Sequence, residues 1–309
     1  MRTLDVPKHL MRSKYRTHER QSFFKYMSAT TANLVLTKRT LRWSSPVLFN
    51  DPFDVPREIT FGFTPDDVFQ AASRCLAALI EYPPKDTSQL QPKLRLIAET
   101  MKKGVSPDIK AKLLRDIQDV ASSWRPRKES LDEMRDTWRV LIPELRILCL
   151  TESQDHIAMW YHYADQYRGV VLEFKCVDEL DSASLMARPV EYPVVKPGIY
   201  TAEGWATLLM MQNRLTTEKF LALATFTKSQ DWSYEREWRV TSWKRPADTG
   251  LYTDYSFDQR ELGAIYLGPM ISSSDREAVT ALAKGYANCI VWNVTIGMDR
   301  EFRFAKSDV

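Results

Sequence analysis

Hydrophobic and polar positions change their period several times along this 309-residue chain. After a polar arm over residues 1–22, Phe23-Phe24-Lys25-Tyr26-Met27 reads as a short aromatic-rich strand and 32–36 as a short helix. Thr40-Leu41-Arg42-Trp43-Ser44 then alternates polar and apolar as a second strand, ended by Ser45-Pro46. Phe49-Asn50-Asp51-Pro52-Phe53-Asp54 reads as a turn. Asp51 precedes a proline and is biased out of the helical region, and Asn50 and Asp54 can bond neighbouring backbone groups. Between about 65 and 141 the period becomes helical, with apolar residues at three-to-four spacing over 66–80, 91–101, 109–122 and 131–141. Pro83-Pro84, Gly104 with Pro107, and Pro126 punctuate these stretches.

Strand signals return at Arg146. Residues 147–150 form an apolar run, Ser153 to Asp155 supply N-cap types for a helix over about 156–166, and 169–174 has the pattern of a buried strand. Residues 190–194 predict an edge strand containing Pro193, and 203–225 predict a helix. Strands around 234–243 and 264–267, a helix opening at Asp275 and a closing strand over 290–296 complete the pattern. Short strands interleaved with isolated helices predict an α+β fold: one domain over 23–309, with a helical insertion at about 65–141.

Composition adds class rather than chemistry. Hydrophobic residues at 44% and charged residues at 27% describe a globular chain, not a disordered one. No stretch reaches the roughly 20 apolar residues needed to span a bilayer, and the basic N-terminal arm lacks the apolar core of a secretory signal. Cys75, Cys149, Cys176 and Cys289 contain no Cys-x-x-Cys pair, which argues against structural zinc and fits a reducing cytoplasm. A formal charge of +3 gives little reason to expect a nucleic-acid substrate. The charge runs of the insertion read as solvated helix faces, with a basic binding surface around Trp124, Arg125, Arg127 and Lys128 as the alternative.

Phosphate-loop, dinucleotide-fingerprint, zinc-protease and hydrolase-elbow motifs are all missing. Four histidines remain. His9 and His18 lie in the arm and read as surface residues, while His156 and His162 stand six apart, about 240° around a helix, so no metal pair is expected. His156, Trp160, Tyr163 and Tyr167 form one helical stripe, read either as a core face or as an aromatic wall for a planar ligand. Over 232–240 a strand would put Glu235, Glu237 and Arg239 on one face and Tyr234, Arg236 and Trp238 on the other. Two carboxylates at that spacing raise each other's pKa while the arginine lowers it. A carboxylate among so many aromatics is a candidate functional group, an ion-paired strand face being the alternative.

Four segments together resemble the bacterial domain-of-unknown-function family 2971: Lys25-Tyr26; the turn from Leu41 through Phe53; Met159-Trp160-Tyr161-His162-Tyr163-Ala164 with Gly169 through Phe174; and Trp232 through Arg239. More distantly, Glu-x-Glu on a late strand, behind an early strand and a central aromatic helix, resembles the ADP-ribosyltransferase core. It departs from that core in carrying Lys25-Tyr26 where an Arg or His is usual. This resemblance implies an ADP-ribosyltransferase-like mixed β core, with NAD as substrate and Glu237 as the catalytic residue, binding the ribose hydroxyl and stabilising an oxocarbenium-like centre. Glu235 would be its partner, orienting or deprotonating the acceptor. Lys25, Tyr26, Ser44, Asn50, Trp160, His162 and Tyr163 would then hold NAD. An unidentified protein or nucleic acid would be the acceptor, and a role as a toxin or anti-phage effector is implied.

Two rivals stand beside that reading. One is a nucleic-acid-cleaving effector with a metal-dependent carboxylate site built from Asp51, Asp54, Glu173 and Glu237. The other is a non-catalytic module whose helical insertion docks a protein partner. Convergence of Tyr26, Asn50, His162 and Glu237 on one cleft is what the enzymatic reading requires.

Overall fold

The computed structural model describes residues 12–123, 125, 128–195, 197–212 and 217–307. Along them run β1 (Ser22–Met27), α1 (Ala29–Lys38) and β2 (Thr40–Ser44), then α2 (Pro65–Glu81), α3 (Pro92–Lys102), α4 (Pro107–Ser122) and α5 (Lys128–Glu144). Next come β3 (Leu145–Thr151), α6 (Ile157–Tyr163), β4 (Val170–Lys175), β5 (Arg188–Pro189), α7 (Ala202–Met210) and α8 (Thr217–Thr225). The remaining elements are β6 (Glu237–Trp243), β7 (Tyr252–Ser256), β8 (Leu262–Leu267), α9 (Ser273–Ala283), β9 (Ile290–Ile296) and β10 (Phe302–Lys306). The chain divides into two units. One comprises the described residues up to Asp54, Ile142–Tyr192 and those from Phe226 onward; the other is Val55–Leu141 with Pro193–Thr225.

The first unit is built on a mixed sheet in the order β10-β9-β8-β4-β1-β3-β2-β7, with β6 pairing β3 and β5. Among the described strands only β8 and β9 pair in parallel, and α9 supplies the crossover such a pair needs. Period-2 alternation sorts β1 between two cores. Phe23 and Met27 join Leu148, Leu150 and Val240 and the apolar faces of α1 and α9, whereas Phe24 and Tyr26 pack with Met159 and Trp160 of α6. Helix α1 starts where Ser28 Oγ accepts from Thr31 N–H and stops at Arg39, which is left-handed at φ 52°. Sheet and helices segregated in this way make an α+β fold.

The second unit is helical. A Thr64–Asp67 capping box opens α2, whose Val68, Ala72, Leu76 and Leu79 pack with Leu94, Ala98 and Ile117, and also with Ala202, Ala206 and Met210 of α7. The unit therefore draws on two stretches of sequence, 55–141 and 193–225. Among the described residues no helix is long and apolar enough to cross a membrane.

Several expected elements come out differently. The helix expected over 156–166 is a seven-residue α6, because Asp165, Gln166 and Tyr167 turn left-handed at φ 47°, 51° and 70°. Gly169 then brings the chain so close to β1 that a Cβ there would lie 2.2 Å from the Met27 carbonyl oxygen. The edge strand expected over 190–194 pairs instead at 188–189, and its bonding runs on only through Val190 and Glu191, whose N–H groups donate to the Glu237 and Phe226 carbonyls at 2.8 Å. The single helix expected over 203–225 is two, α7 and α8, and residues 213–216 between them lie outside the described set. Strands β7 and β10 were not expected at all. His18 is not a surface residue: its ring packs edge-on to Phe23 and Trp238 at 5.0 and 5.1 Å, and Nε2 lies 2.8 Å from the Ser184 carbonyl oxygen. The arm around it is docked, Arg16 pairing with Asp178 at 2.6 Å. His9, Trp124 and Arg127 lie outside the described residues.

Candidate functional site

Strands β3 and β6 pair with Thr151 opposite Glu237 and Cys149 opposite Arg239. Since Leu148, Leu150 and Val240 enter the core under α1 and α9, alternation turns Cys149, Thr151, Glu237 and Arg239 to the other face of the sheet. A cavity of about 160 Å³ opens there. Lys25 and Tyr26 come to it from β1, Asn50 and Asp54 from the Asn-Asp-Pro turn and Tyr163 from α6; Lys228, Glu235 and Glu237 complete its polar wall. The turn is set by Asp51, whose Oδ1 accepts from Phe53 N–H at 2.9 Å.

Glu235 reaches the cavity by a route other than the expected strand. Residues Gln230–Glu235 form a 3₁₀ turn, which Arg236 closes in the left-handed region at φ 45° before β6 begins at Glu237. Both carboxylates are nevertheless buried on the cavity side while Arg236 is exposed. The inside-outside assignment of these side chains follows the alternation, although half of the segment is not a strand.

The carboxylates belong to an ion-pair network whose side chains are at most 6% exposed. Arg239 Nε donates to Glu237 Oε1 at 2.8 Å, and one terminal nitrogen reaches both oxygens of Asp54 at 2.8 and 2.7 Å. Lys228 Nζ lies 2.6 Å from Glu235 Oε2, 3.4 Å from Glu237 Oε2 and 3.5 Å from Asp54 Oδ2. Tyr163 donates its hydroxyl to Glu235 Oε1 at 2.6 Å, and Tyr192 accepts the Glu237 backbone N–H at 2.9 Å. Lys25 stands apart from the carboxylates: its ammonium donates to the Cys149 carbonyl at 2.8 Å.

Three carboxylates thus face two cations, and the shortfall falls on Glu235. Burial raises its pKa, Lys228 offsets part of that, and the charge of Glu237 raises it further. Glu237 moves the other way: burial opposes its ionisation, but Arg239 and then Lys228 outweigh burial and hold it below the usual carboxylate range. Burial disfavours the Lys228 ammonium, yet Glu237, Asp54 and Glu235 keep it above the ordinary lysine value. Burial depresses Lys25 despite the nearby charge of Glu237. Burial also pushes the Cys149 thiol up, which disfavours its thiolate.

Of the residues expected at the site, Glu235, Glu237, Lys25, Tyr26, Asn50 and Tyr163 line the cavity, and Trp160, His162 and Ser44 do not. Trp160 is fully buried in the core, its indole N–H donating to the Gln154 carbonyl at 2.8 Å. His162 is exposed on α6 against Trp232 and Tyr234, and Ser44 sits within β2, paired with Tyr252 and Ile147. The sequence pattern gives no role to Lys228 or Tyr192, and reads Asp54 as a turn residue or, in the alternative, a metal ligand. Lys228 has no local pattern to betray it. Its signal is four residues away, in the aromatic segment that buries it.

The four acids of the metal-dependent alternative do not gather. Asp54 and Glu237 face Arg239 and Lys228, Asp51 caps the turn, and Glu173 lies beside Tyr266 at 3.5 Å. Among the described residues, no group of three or more His, Cys, Asp or Glu is arranged to hold a metal ion.

Residues 159–240, which carry α6, the strand after it and the Glu-x-Glu segment, match the protein family described as Protein of unknown function (DUF2971). No curated protein and no solved structure matches the chain. The match thus falls on the segment that supplies Tyr163, Lys228, Glu235, Glu237 and Arg239.

Proposed function

We propose that the cavity cleaves an N-glycosidic bond of NAD, in an ADP-ribosyltransferase-like or NAD-hydrolysing reaction. The observation that carries this reading is the pair Glu235 and Glu237, two residues apart on one cavity wall, with their acidities driven in opposite directions. Paired carboxylates with divergent pKa values suit divided roles. Glu237, held ionised by Arg239, stabilises the cationic sugar as nicotinamide leaves. Glu235, the more basic of the two, takes the proton of the attacking water or acceptor hydroxyl. Tyr163 and Lys228 hold the Glu235 carboxylate in place from its two oxygens.

Size limits what enters. A volume of about 160 Å³ is well short of the roughly 300–1,000 Å³ of sites that enclose whole drug-sized ligands. A single ring or one ribose fits, and the rest of a dinucleotide must lie outside. The distant likeness to ADP-ribosyltransferases supports the same reading, and with it a toxin or defence role in which NAD or a macromolecule is the target. Purified protein incubated with NAD is expected to release nicotinamide, with Glu237→Gln and Glu235→Gln each losing about 100-fold or more. Release no faster than from Glu237→Gln, with no modified acceptor, overturns the proposal.

A further inference from the structure

Outside the cavity wall lies a run of partly exposed aromatic rings that the proposed chemistry does not use. Tyr234 stacks on His156 with centroids 5.4 Å apart and planes at 19°, and it lies 6.4 Å from His162 and 6.0 Å from Trp232. Trp232 and His162 meet at 71° with centroids 6.5 Å apart, so together they form a corner. His162 is exposed, and none of the four rings is fully buried. Single exposed apolar side chains are ordinary on a protein surface, whereas these four rings form one contiguous group.

The group is joined to the cavity at two points. The Lys228 ammonium that pairs with Glu235 sits 5.1 Å from the centre of the Trp232 ring, and His162 adjoins Tyr163 at 6.5 Å. Burial lowers the His156 pKa, and the charge of the exposed Arg236 lowers it further, which brings a cation to the same side.

We infer that Trp232, Tyr234, His156 and His162 form a stacking platform for the purine base of a nucleotide whose reacting sugar enters the adjoining cavity. This rests on the proposed function and extends it to the half of the substrate that the cavity is too small to hold. A base laid on the Trp232 indole meets the His162 imidazole edge-on, an arrangement favourable for π systems. Aromatic platforms of this kind bind bases through their faces and need little hydrogen bonding, and Arg236 supplies charge for the phosphates.

The test separates the platform from the chemistry. Saturation-transfer NMR with AMP, which has no glycosidic nicotinamide to lose, is expected to label the adenine H2 and H8 protons in the wild-type protein. Trp232→Ala and Tyr234→Ala are expected to weaken AMP binding about tenfold or more, the effect of removing one base–aromatic stack. In steady-state assays the preference for NAD over nicotinamide mononucleotide, measured as the ratio of kcat/KM values, should fall by a similar factor in Trp232→Ala. AMP that does not bind, or binds Trp232→Ala and Tyr234→Ala as tightly as wild type, overturns the inference. If AMP binding depends on Trp232 but NAD is not cleaved, the cleavage reading fails and the platform stands.

Discussion

Arg239 on β6 grips both carboxylate oxygens of Asp54, 185 residues earlier in the chain, at 2.8 and 2.7 Å. The contact ties the Asn-Asp-Pro turn to the Glu-x-Glu segment, so two stretches that look independent in the sequence form one wall. Each charge is buried, which makes the network costly to break. Removing one member strands its partner away from water, whereas the intact set is nearly balanced. Arg239→Met is therefore expected to lower unfolding free energy by about 3–5 kcal/mol in a urea titration. Arg239→Lys should recover only part, because an ammonium lacks the planar fork through which the guanidinium bonds Asp54 and Glu237 at once. A loss below about 1 kcal/mol for Arg239→Met would show that water reaches the network.

Arg236 is the hinge that lets both glutamates face inward. At φ 45° it stands in a region that disfavours a side chain, between the 3₁₀ turn and β6. Arg236→Gly is expected to leave stability unchanged or raise it slightly. Arg236→Val, β-branched in a left-handed position, should cost about 1–2 kcal/mol and disturb the two carboxylates together. Thermal unfolding of the two variants checks this, and an equal loss in both would assign the cost to the arginine side chain instead of the backbone.

Local chemistry made much of this wall legible in the sequence. Glu237 and Arg239 share a face by strand alternation, Glu235 joins them through the left-handed Arg236, as the alternating pattern also has it, and the Asp51 turn accords with its proline. What could not be read is whatever depends on distant partners. Trp160 shares a helical stripe with Tyr163, but only packing against Tyr26 and Phe302 decides that it is core while Tyr163 turns to Glu235. His18 and Arg16 look like surface residues until residues 176–187 fold over them. The two-part helical unit was equally hidden, since the period of α7 says nothing about which helix it packs against.

Tyr163 should set the proton affinity of Glu235. Its hydroxyl donates to Oε1 and so favours the ionised carboxylate, against the burial that raises the pKa. Tyr163→Phe removes that donor, and the Glu235 pKa is expected to rise further. A carbon-13 NMR titration of the glutamate carboxyls reads this directly. If Glu235 serves as the base, the acid limb of kcat/KM moves to higher pH by the same amount. A pKa that stays put or falls in Tyr163→Phe would mean that burial, Lys228 and Glu237 govern the carboxylate without the tyrosine.

The docked arm should loosen in acid. The hydrogen bond from Arg16 is the main cause holding Asp178 at about 2, below its ordinary 3.8, with Ser13 N–H adding a second donor at 2.8 Å. A carboxylate with a depressed folded-state pKa contributes stability that is complete above its unfolded value and is lost as pH falls through the folded one. Arm docking is therefore expected to hold above about pH 3.8 and to weaken between there and about pH 2. The Thr17 amide, bonded to the Leu185 carbonyl at 2.9 Å, reports on docking by hydrogen exchange, with the Val171 amide of the central sheet as the internal reference. Asp178→Asn should expose Thr17 at neutral pH while Val171 stays protected. Equal loss of protection at both amides would mean that the arm is part of the cooperative core and not a separately docked segment.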